Sequence, residues 1–220
     1  MLDITEQRLK ALAAQGFKPR TIFDIGAFVG DWSKMAKNIW PTANIVLFEA
    51  NSDCYETLKT RELGQIENVL LGRNNKNKVK YFSSINEYKT GNSIFLEQTS
   101  YFKKSEIRLL KMQKLDSIVK DKKYKNIDFI KIDTQGSELE IIAGGINTIK
   151  NAEFVLLETQ NLTYNLGAPK TLDVIKRMNN LGFMLFDITQ IHHLPTGEMQ
   201  GVDMMFARNN SKYIKKGLLW

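Results

Sequence analysis

Acidic residues at the ends of apolar segments are the side chains in this sequence that are best placed for chemistry. The first lies in Thr21–Ser33, with the sequence TIFDIGAFVGDWS. Apolar residues surround Asp24 and predict a buried strand, Gly26 and Gly30 bracket a turn, and the last three letters predict the start of a helix. Glycine lets the backbone approach a ligand closely. A strand, a glycine turn and a helix together form the nucleotide-binding arrangement of α/β sheets.

The spacing of this turn argues against a phosphate-binding loop. Such a loop has a Lys-Ser or Lys-Thr pair after its last glycine, but Asp31-Trp32 follows Gly30, and no G-x-G-x-x-G fingerprint is present. Asp24 would repel a pyrophosphate, whereas it can accept hydrogen bonds from a cationic ligand such as S-adenosylmethionine. Glu49 ends the next predicted strand, Asn44–Phe48, where an acid can bind two ribose hydroxyls. The turn alone would fit a cofactor-free strand and helix equally well, and Glu49 makes that alternative the weaker one.

A second group of acids follows the later predicted strands. Asp133 follows the apolar segment Ile127–Ile132 and is the first candidate for a general base, with a structural role in its turn as the alternative. Lys131 lies on the same side of the strand, where a salt bridge with Asp133 is favoured over a base whose pKa is lowered by burial. Glu158 and Gln160 end the next strand, and together with Asp133 they offer oxygen ligands for Mg²⁺.

The only histidines of the chain, His192 and His193, are adjacent. Neighbouring residues on a strand point to opposite faces, so the pair is not expected to bind one ion. His192 is a candidate general base if its loop folds over the acceptor, and an exposed turn histidine is the favoured alternative. Asp203 is interpreted as the start of the last strand, and Glu138 as an acid favoured by the first turn of a helix.

The predicted elements place these acids on one edge of an α/β sheet. Strands and helices alternate through five strands, which predicts a single doubly wound, mostly parallel sheet with a closing antiparallel strand pair. Residues 72–114 interrupt this alternation and predict an insertion over the ligand-binding edge, with a small hairpin. The remaining predicted helices are 3–16, the segment from Ser52 or Asp53 to Leu63, Leu115–Val119 with Asp116 near its cap, Ser137–Lys150 interrupted at Gly144-Gly145, and Thr171–Leu181. The remaining predicted strands are Glu67–Leu71, Lys78–Ser83, Ile107–Met112, Phe154–Leu157, Phe183–Ile188 and Met204–Ala207.

Length and composition fit one large domain. The chain has 220 residues, of which 43% are hydrophobic. We expect an N-terminal helix within residues 1–20, the main domain at 21–208 and a tail at 209–220. The start of the chain lacks the features of a signal peptide and no apolar run reaches the ~18 residues of a membrane span, so a cytoplasmic location is expected. The single cysteine, Cys54, cannot form an intrachain disulfide.

The net charge of +7 comes largely from lysines in Lys76–Lys80, Lys103–Lys123 and Lys212–Lys216. A basic excess is typical of proteins that bind nucleic acid or an anionic surface. These segments lack interleaved aromatic residues that would stack on bases, so a solvated lysine face is favoured and nucleic acid is an unfavoured partner. Leu218–Trp220 is either an interface between subunits or a loose tail, which leaves an oligomer open.

Several of these segments resemble the FkbM family of S-adenosylmethionine-dependent methyltransferases. Asp24–Gly30 with Ser33 is similar to the family's D-V-G-A-N-x-G-x-x-S, and Phe48–Ala50 to its F-E-P. Leu115-Asp116 followed by Ile130–Glu138 is similar to its L-D and K-I-D-V-E-G-A-E. Three departures are Phe28 in place of Asn, Ala50 in place of Pro and Gln135 in place of an acid.

The resemblance implies a Rossmann-like class I methyltransferase domain that transfers a methyl group to a hydroxyl of a sugar, glycan or other small molecule. Its implied cofactor-binding residues are Asp24, Gly26, Ala27 and Gly30 at the methionine portion, Glu49 and Asn51 at the ribose, Leu70 and Leu71 at the adenine, Ser93 in a loop that closes over the cofactor, and Asp133. A nucleic-acid methyltransferase is one alternative. A binding module that lost its chemistry is another, and Phe28 and Gln135 are its support.

Overall fold

The computed structural model describes residues 2–85, 90–99, 102 and 104–214 of the chain. Strands and helices alternate along most of it, as the apolar periodicity predicts. In chain order the elements are β1 (Leu2–Asp3), α1 (Thr5–Ala14), β2 (Thr21–Ile25), α2 (Asp31–Ile39), β3 (Asn44–Glu49), α3 (Ser52–Lys59), β4 (Gln65–Asn68), β5 (Leu70–Leu71), β6 (Lys76–Ser84), β7 (Ser105–Gln113), α4 (Leu115–Lys122), β8 (Ile127–Ile132), α5 (Glu138–Gly144), α6 (Ile146–Asn151), β9 (Phe154–Gln160), α7 (Thr171–Asn180), β10 (Phe183–His193) and β11 (Met199–Arg208).

The main sheet has the strand order β1-β10-β11-β9-β8-β2-β3-β4. Strands β2, β3, β4, β8 and β9 are parallel, and β10 and β11 close the sheet in antiparallel pairing. The central strands are mostly apolar because helices cover both faces, and each face has its own buried cluster. This is the doubly wound α/β fold that the sequence predicts. Within the described residues, none of the helices has the length and apolar character of a membrane span.

The predicted insertion folds as a second sheet, in which the predicted strands Lys78–Ser83 and Ile107–Met112 are confirmed and extended. Its strand order is β5-β7-β6, and the nine-residue strands β6 and β7 pair antiparallel from Lys76 to Ser84. The predicted strand Glu67–Leu71 is divided, since β4 stays in the main sheet while β5 joins the second one. Residues 86–89, which the predicted insertion includes, lie outside the described part of the chain.

The closing hairpin is longer than predicted. Strands β10 and β11 pair from Phe183 with Arg208 to His193 with Met199, through several register shifts. The polar residues near the hairpin end continue the ladder because their backbone groups pair across it, whatever their side chains. His192 therefore lies in a strand instead of a turn, and Asp203 lies in the middle of β11 instead of at its start.

Some helix ends also differ from the prediction. Asn51 caps α3 by accepting the N–H of Asp53 at 3.1 Å, so neither Ser52 nor Asp53 is the cap. The helix predicted at Ser137–Lys150 divides into α5 and α6 at its glycine pair, as expected. Asp116 caps α6 rather than its own helix, because its Oδ1 accepts the N–H of Thr148 at 2.9 Å.

Both ends of the described chain pack on the main sheet. Leu9 and Leu12 of α1 are buried, as predicted. After β11, Tyr213 contacts the rings of Phe17 and Phe154 at centroid distances of 5.4 and 5.7 Å, so this part of the predicted tail is fixed to the core. The segment Leu218–Trp220 lies outside the described residues.

Candidate active site

A cavity of about 190 Å³ lies at the carboxyl ends of the parallel strands, under the second sheet. In doubly wound sheets this edge is where ligands bind. The cavity has an apolar wall from β3, β5 and α5 and polar groups from the loops after β2, β3 and β8. Its lining includes Gly26, Phe28, Glu49, Leu70, Leu71, Tyr81, Asn92, Ser93, Asp133, Thr134, Gln135 and Ile141.

The turn after β2 forms the floor of this cavity. Gly26 has a φ of +77°, and a β-carbon there would lie 1.8 Å from the backbone oxygen of Asp133. Its N–H and that of Ala27 donate to the Phe48 carbonyl at 2.9 and 3.1 Å. The turn is therefore held against β3 and β8 so closely that only glycine fits. This leaves backbone exposed to a ligand where a side chain would otherwise stand.

Glu49 lies at the end of β3 and is 7% exposed. Its Oε2 accepts the N–H of Phe28 at 2.7 Å, and its Oε1 accepts the N–H of Asn51 at 2.8 Å. Burial raises the pKa of this carboxyl to about 7, although the two backbone donors and Lys131 act in the opposite direction. Each oxygen keeps acceptor capacity for one further hydroxyl donor from the cavity.

A chain of buried charges lies behind the Gly26 turn. The Lys131 ammonium is 3.2 Å from Asp24 Oδ1 and 3.3 Å from Asp133 Oδ2, and it donates to the Gly26 carbonyl at 3.1 Å. Ser33 donates to Asp24 at 2.7 Å. Burial lowers the pKa of Lys131, but Asp133 and Asp24 outweigh it and hold that pKa above its usual range. The geometry thus favours the salt bridge for Lys131, since a charged ammonium cannot accept a proton.

The carboxyl of Asp133 is 38% exposed and lies beside Glu158. The Gln135 amide donates to Asp133 Oδ1 at 3.2 Å and also to Glu158. Burial acts to raise the pKa of Asp133, but the Lys131 ammonium and these hydrogen bonds outweigh it and lower that pKa to about 2. Burial and the charge of Asp133 raise the pKa of Glu158 well above its usual range. Asp133 is therefore the stronger acid of the pair and Glu158 the weaker one.

The loop after β8 is fixed by Glu138. One of its oxygens accepts the N–H and the hydroxyl of Thr134 at 3.0 and 3.1 Å and the N–H of Gly136 at 3.1 Å. Burial raises its pKa to about 7 against these donors. Glu138 therefore anchors the loop that carries Gln135, a more specific role than the favourable helix-terminus charge that the sequence suggested.

A second cavity, of about 340 Å³, lies on the other side of Asp133. Carboxylates from α1, α2 and three strands dominate its lining, which includes Asp3, Thr5, Glu6, Asp31, Trp32, Lys131, Asp133, Glu158 and Asp203. Behind this lining, His192 Nε2 lies 3.2 Å from Asp203 Oδ1. That hydrogen bond raises the pKa of the imidazole. Asp133 thus separates a mixed polar and apolar cavity from an acidic one.

Comparison with known proteins identifies the family to which this chain belongs. The model of the methyltransferase FkbM domain matches residues 24–185, well over half of the chain. The chain belongs to the FkbM methyltransferase domain family. No curated protein sequence matches it.

Solved structures resemble this FkbM family chain in fold. Methyltransferase FkbM from Methylobacillus flagellatus KT has a TM-score of 0.53 at 14% identity over 86% of this chain and 43% of that one. M. capricolum TrmK, solved with S-adenosyl-homocysteine, has a TM-score of 0.52 at 13% identity over 98% and 73%. Aeropyrum pernix fibrillarin, solved with S-adenosyl-L-methionine, has a TM-score of 0.50 at 13% identity over 91% and 74%. These similarities show the class I Rossmann-like methyltransferase fold, and this chain spans less than half of the M. flagellatus protein.

The structure brings many of the predicted FkbM site residues to the first cavity. Gly26, Glu49, Leu70, Leu71, Ser93 and Asp133 line it. Ser93 reaches it because its backbone pairs with Phe82, Ser93 N–H to Phe82 O at 3.1 Å and Phe82 N–H to Ser93 O at 2.8 Å. This pairing places residues 90–94 in the lining of the cavity.

Other predicted residues lie behind the lining or elsewhere. Asp24 is fully buried against Lys131. Gly30 is the N-cap of α2, and a β-carbon added there would collide with Leu58 and Leu63. Ala27 packs in the core, and Asn51 accepts from Arg108 at 3.1 Å in addition to capping α3. Among the described lining residues of the first cavity, none of these four appears. They shape the site through the elements they hold.

The ligand set predicted for Mg²⁺ is not assembled. Gln160 is 3% exposed, its Oε1 accepts the N–H of Asn165 at 3.2 Å and its Nε2 donates to the Ala168 carbonyl at 3.1 Å. Its amide is used to hold the loop after β9. Sequence reasoning also missed Tyr81, Asn92 and Thr134 as lining residues. Tyr81 comes from β6 and Asn92 from the segment that follows it, and no local pattern indicates the position of either, while Thr134 adjoins the recognised Asp133.

Proposed function

We propose that this FkbM family chain transfers a methyl group from S-adenosylmethionine to a hydroxyl of a sugar, glycan or other small molecule. The observation that carries the proposal is the first cavity. It combines a turn in which only glycine fits, a buried carboxyl with free acceptor capacity and an apolar wall. A dinucleotide would need donors for phosphates, whereas this site offers acceptors, which suit ribose hydroxyls and a cationic methionine portion.

In this proposal Glu49 accepts hydrogen bonds from the ribose hydroxyls. Leu70, Leu71 and Ile141 contact the adenine, and the exposed backbone of the Gly26 turn contacts the methionine portion. Ser93 and its neighbours line the cavity beside β6, to which Ser93 is bridged through Phe82. Asp24 acts indirectly, because it positions Lys131, which in turn holds the Gly26 carbonyl and Asp133.

The bound cofactor supplies an electrophilic methyl group on a positively charged sulfur. The chain's own contribution is mainly alignment and charge. Asp133 stands between the two cavities, where its carboxylate accepts a hydrogen bond from the acceptor hydroxyl and orients the oxygen. It takes the hydroxyl proton as the new C–O bond forms and the C–S bond breaks. Its low pKa makes it a weak base, so orientation is the larger part of its role.

The second cavity favours a small-molecule acceptor over nucleic acid. Its lining holds Asp3, Glu6, Asp31, Glu158 and Asp203 together with Asp133. A phosphodiester approaching Asp133 from this side would meet repulsive carboxylates. A neutral or cationic polyol would instead find hydrogen-bond acceptors.

Calorimetric titration with S-adenosylmethionine and S-adenosylhomocysteine tests the proposal. We expect saturable binding by the wild type and by Glu56→Gln, a change at an exposed glutamate of α3. Glu49→Gln should weaken binding by about tenfold or more, because the amide keeps one acceptor oxygen where the carboxylate form of Glu49 offers two. Thermal unfolding of each sample confirms that it is folded. Absence of binding by folded wild-type protein, or equal binding by Glu49→Gln, would contradict the proposal.

A further inference from the structure

Three potential metal ligands meet beside the second cavity on three neighbouring strands. They are Glu158 of β9, His192 of β10 and Asp203 of β11, and one ligand atom from each lies within 4.8 Å of the other two. Each side chain is partly buried. Glu158 and Asp203 face each other directly in the register of β9 and β11. The set offers one imidazole nitrogen and two carboxylate oxygens.

The charges around this group do not balance. Like charges directly opposite each other on antiparallel strands destabilise the pairing. Asp133 adds a third carboxyl group beside Glu158. The nearby ammonium, Lys131, is already paired with both Asp24 and Asp133. His192 Nε2 lies 3.2 Å from Asp203 Oδ1, and a cation held between this nitrogen and the two carboxyl groups would offset their charge.

An independent observation points to a ligand in the same cavity. Thr5 lines it and is 7% exposed, yet its hydroxyl has no hydrogen-bond partner among the described residues. A buried hydroxyl without a partner is energetically unfavourable. The Nε1 of Trp32, another lining residue, is likewise buried without a partner in the described part of the chain. Two such groups around one acidic cavity are expected where a polar ligand is bound.

We propose that Glu158, His192 and Asp203 bind a divalent first-row transition-metal ion whose open coordination positions face the second cavity. The imidazole favours Mn²⁺ or Zn²⁺ over Mg²⁺, which prefers oxygen ligands. The site differs from the Mg²⁺ set predicted from the sequence, because it uses the closing hairpin and excludes Gln160. Its role rests on the proposed function: the open positions hold the acceptor oxygen near Asp133.

Metal titration of the variants tests this site. We use MnCl₂, ZnCl₂ and MgCl₂ with the wild type, His192→Gln, Asp203→Asn and the control His193→Gln. His193 is the next residue on β10, is exposed and is outside the ligand group. We expect one equivalent of Mn²⁺ or Zn²⁺ to bind to the wild type and the control, and binding on the order of tenfold weaker or more in the other two variants. Mg²⁺ should bind more weakly than either ion.

A second measurement is made on wild-type protein, so it does not depend on whether His192→Gln and Asp203→Asn fold. Pulsed electron paramagnetic resonance of Mn²⁺ bound to wild-type protein should show coupling to one imidazole nitrogen, and His193→Gln should keep that coupling. Purely oxygen coordination, no saturable binding by the wild type, or equal affinities in all four proteins would overturn the proposal. Titration of the same samples with S-adenosylmethionine separates the two proposals, because cofactor binding without metal binding refutes only the metal site.

Discussion

Replacing Glu49 by glutamine is expected to remove a pH dependence from the stability of the protein. The folded-state pKa of Glu49 is raised from 4.5 to about 7, mainly by burial. Between these two values the folded protein holds a proton that the unfolded chain releases. The stability that this proton contributes is complete below pH 4.5 and is lost as the pH rises through about 7. Glutamine cannot titrate, so the variant lacks this loss.

The size of the effect follows from the two pKa values. At about 1.36 kcal/mol for each pKa unit, the rise from 4.5 to about 7 corresponds to roughly 3 kcal/mol. Glu138, whose pKa is also raised to about 7, contributes equally to both proteins and cancels in the comparison. The free energy of unfolding of Glu49→Gln, relative to wild type, should therefore increase by roughly 3 kcal/mol from pH 4.5 to pH 7.5.

Chemical denaturation at half-unit pH intervals measures this difference directly. Each curve is fitted for the unfolding free energy, and the variant is compared with wild type at the same pH. Glu56→Gln, at an exposed position, is the matched control and should show no comparable trend. A difference between Glu49→Gln and wild type that stays constant from pH 4.5 to 7.5 would refute the assigned burial of the Glu49 charge.

Three further substitutions test the turn after β2 and the cap of α6. Phe28→Asn should raise the unfolding free energy by about 1 kcal/mol in denaturation, because asparagine tolerates the φ of 50° better than phenylalanine; Phe28→Ala should give no such gain. Gly26→Ala should lower it by about 2 kcal/mol or more and abolish cofactor binding in calorimetry, since its β-carbon would collide with the Asp133 carbonyl. Asp116→Ala should remove the cap of α6 and cost about 1 kcal/mol. Asp121→Ala, exposed on the same helix as Asp116, is its control, and an equal loss there would contradict the capping role.

Phe28 and Gln135, two of the departures from the family motif, both have a positive φ in the structure. Both residues stand in the left-handed region, with φ of 50° and 56°. Asn, which the resemblance leads one to expect at position 28, adopts this conformation more readily than Phe. Gln135 donates to both Asp133 and Glu158 through its amide, whereas an acid at this position would offer one donor at most, and only when protonated. The two departures thus have local physical consequences that a motif comparison does not contain.

The parts of the site that the sequence predicts are those built from local patterns. The Gly26 turn and Glu49 follow apolar strands and a glycine spacing, so their placement needs only the general geometry of α/β sheets. The length of the closing hairpin could not be predicted, because its polar end is stabilised by pairing between β10 and β11 across the chain. For the same reason, the sequence did not predict the hydrogen bond between His192 and Asp203. Propensity is a weak guide where cross-strand pairing decides the structure.

Among the described residues, Asp133 alone lines both cavities. A positive charge placed on either side of its carboxylate changes the potential felt on the other side, so occupancy of the two cavities is thermodynamically linked. Linkage is reciprocal: if the first ligand tightens the second, the second must tighten the first by the same factor. A single shared wall of this kind lets a substitution of one side chain change how strongly each ligand affects the binding of the other.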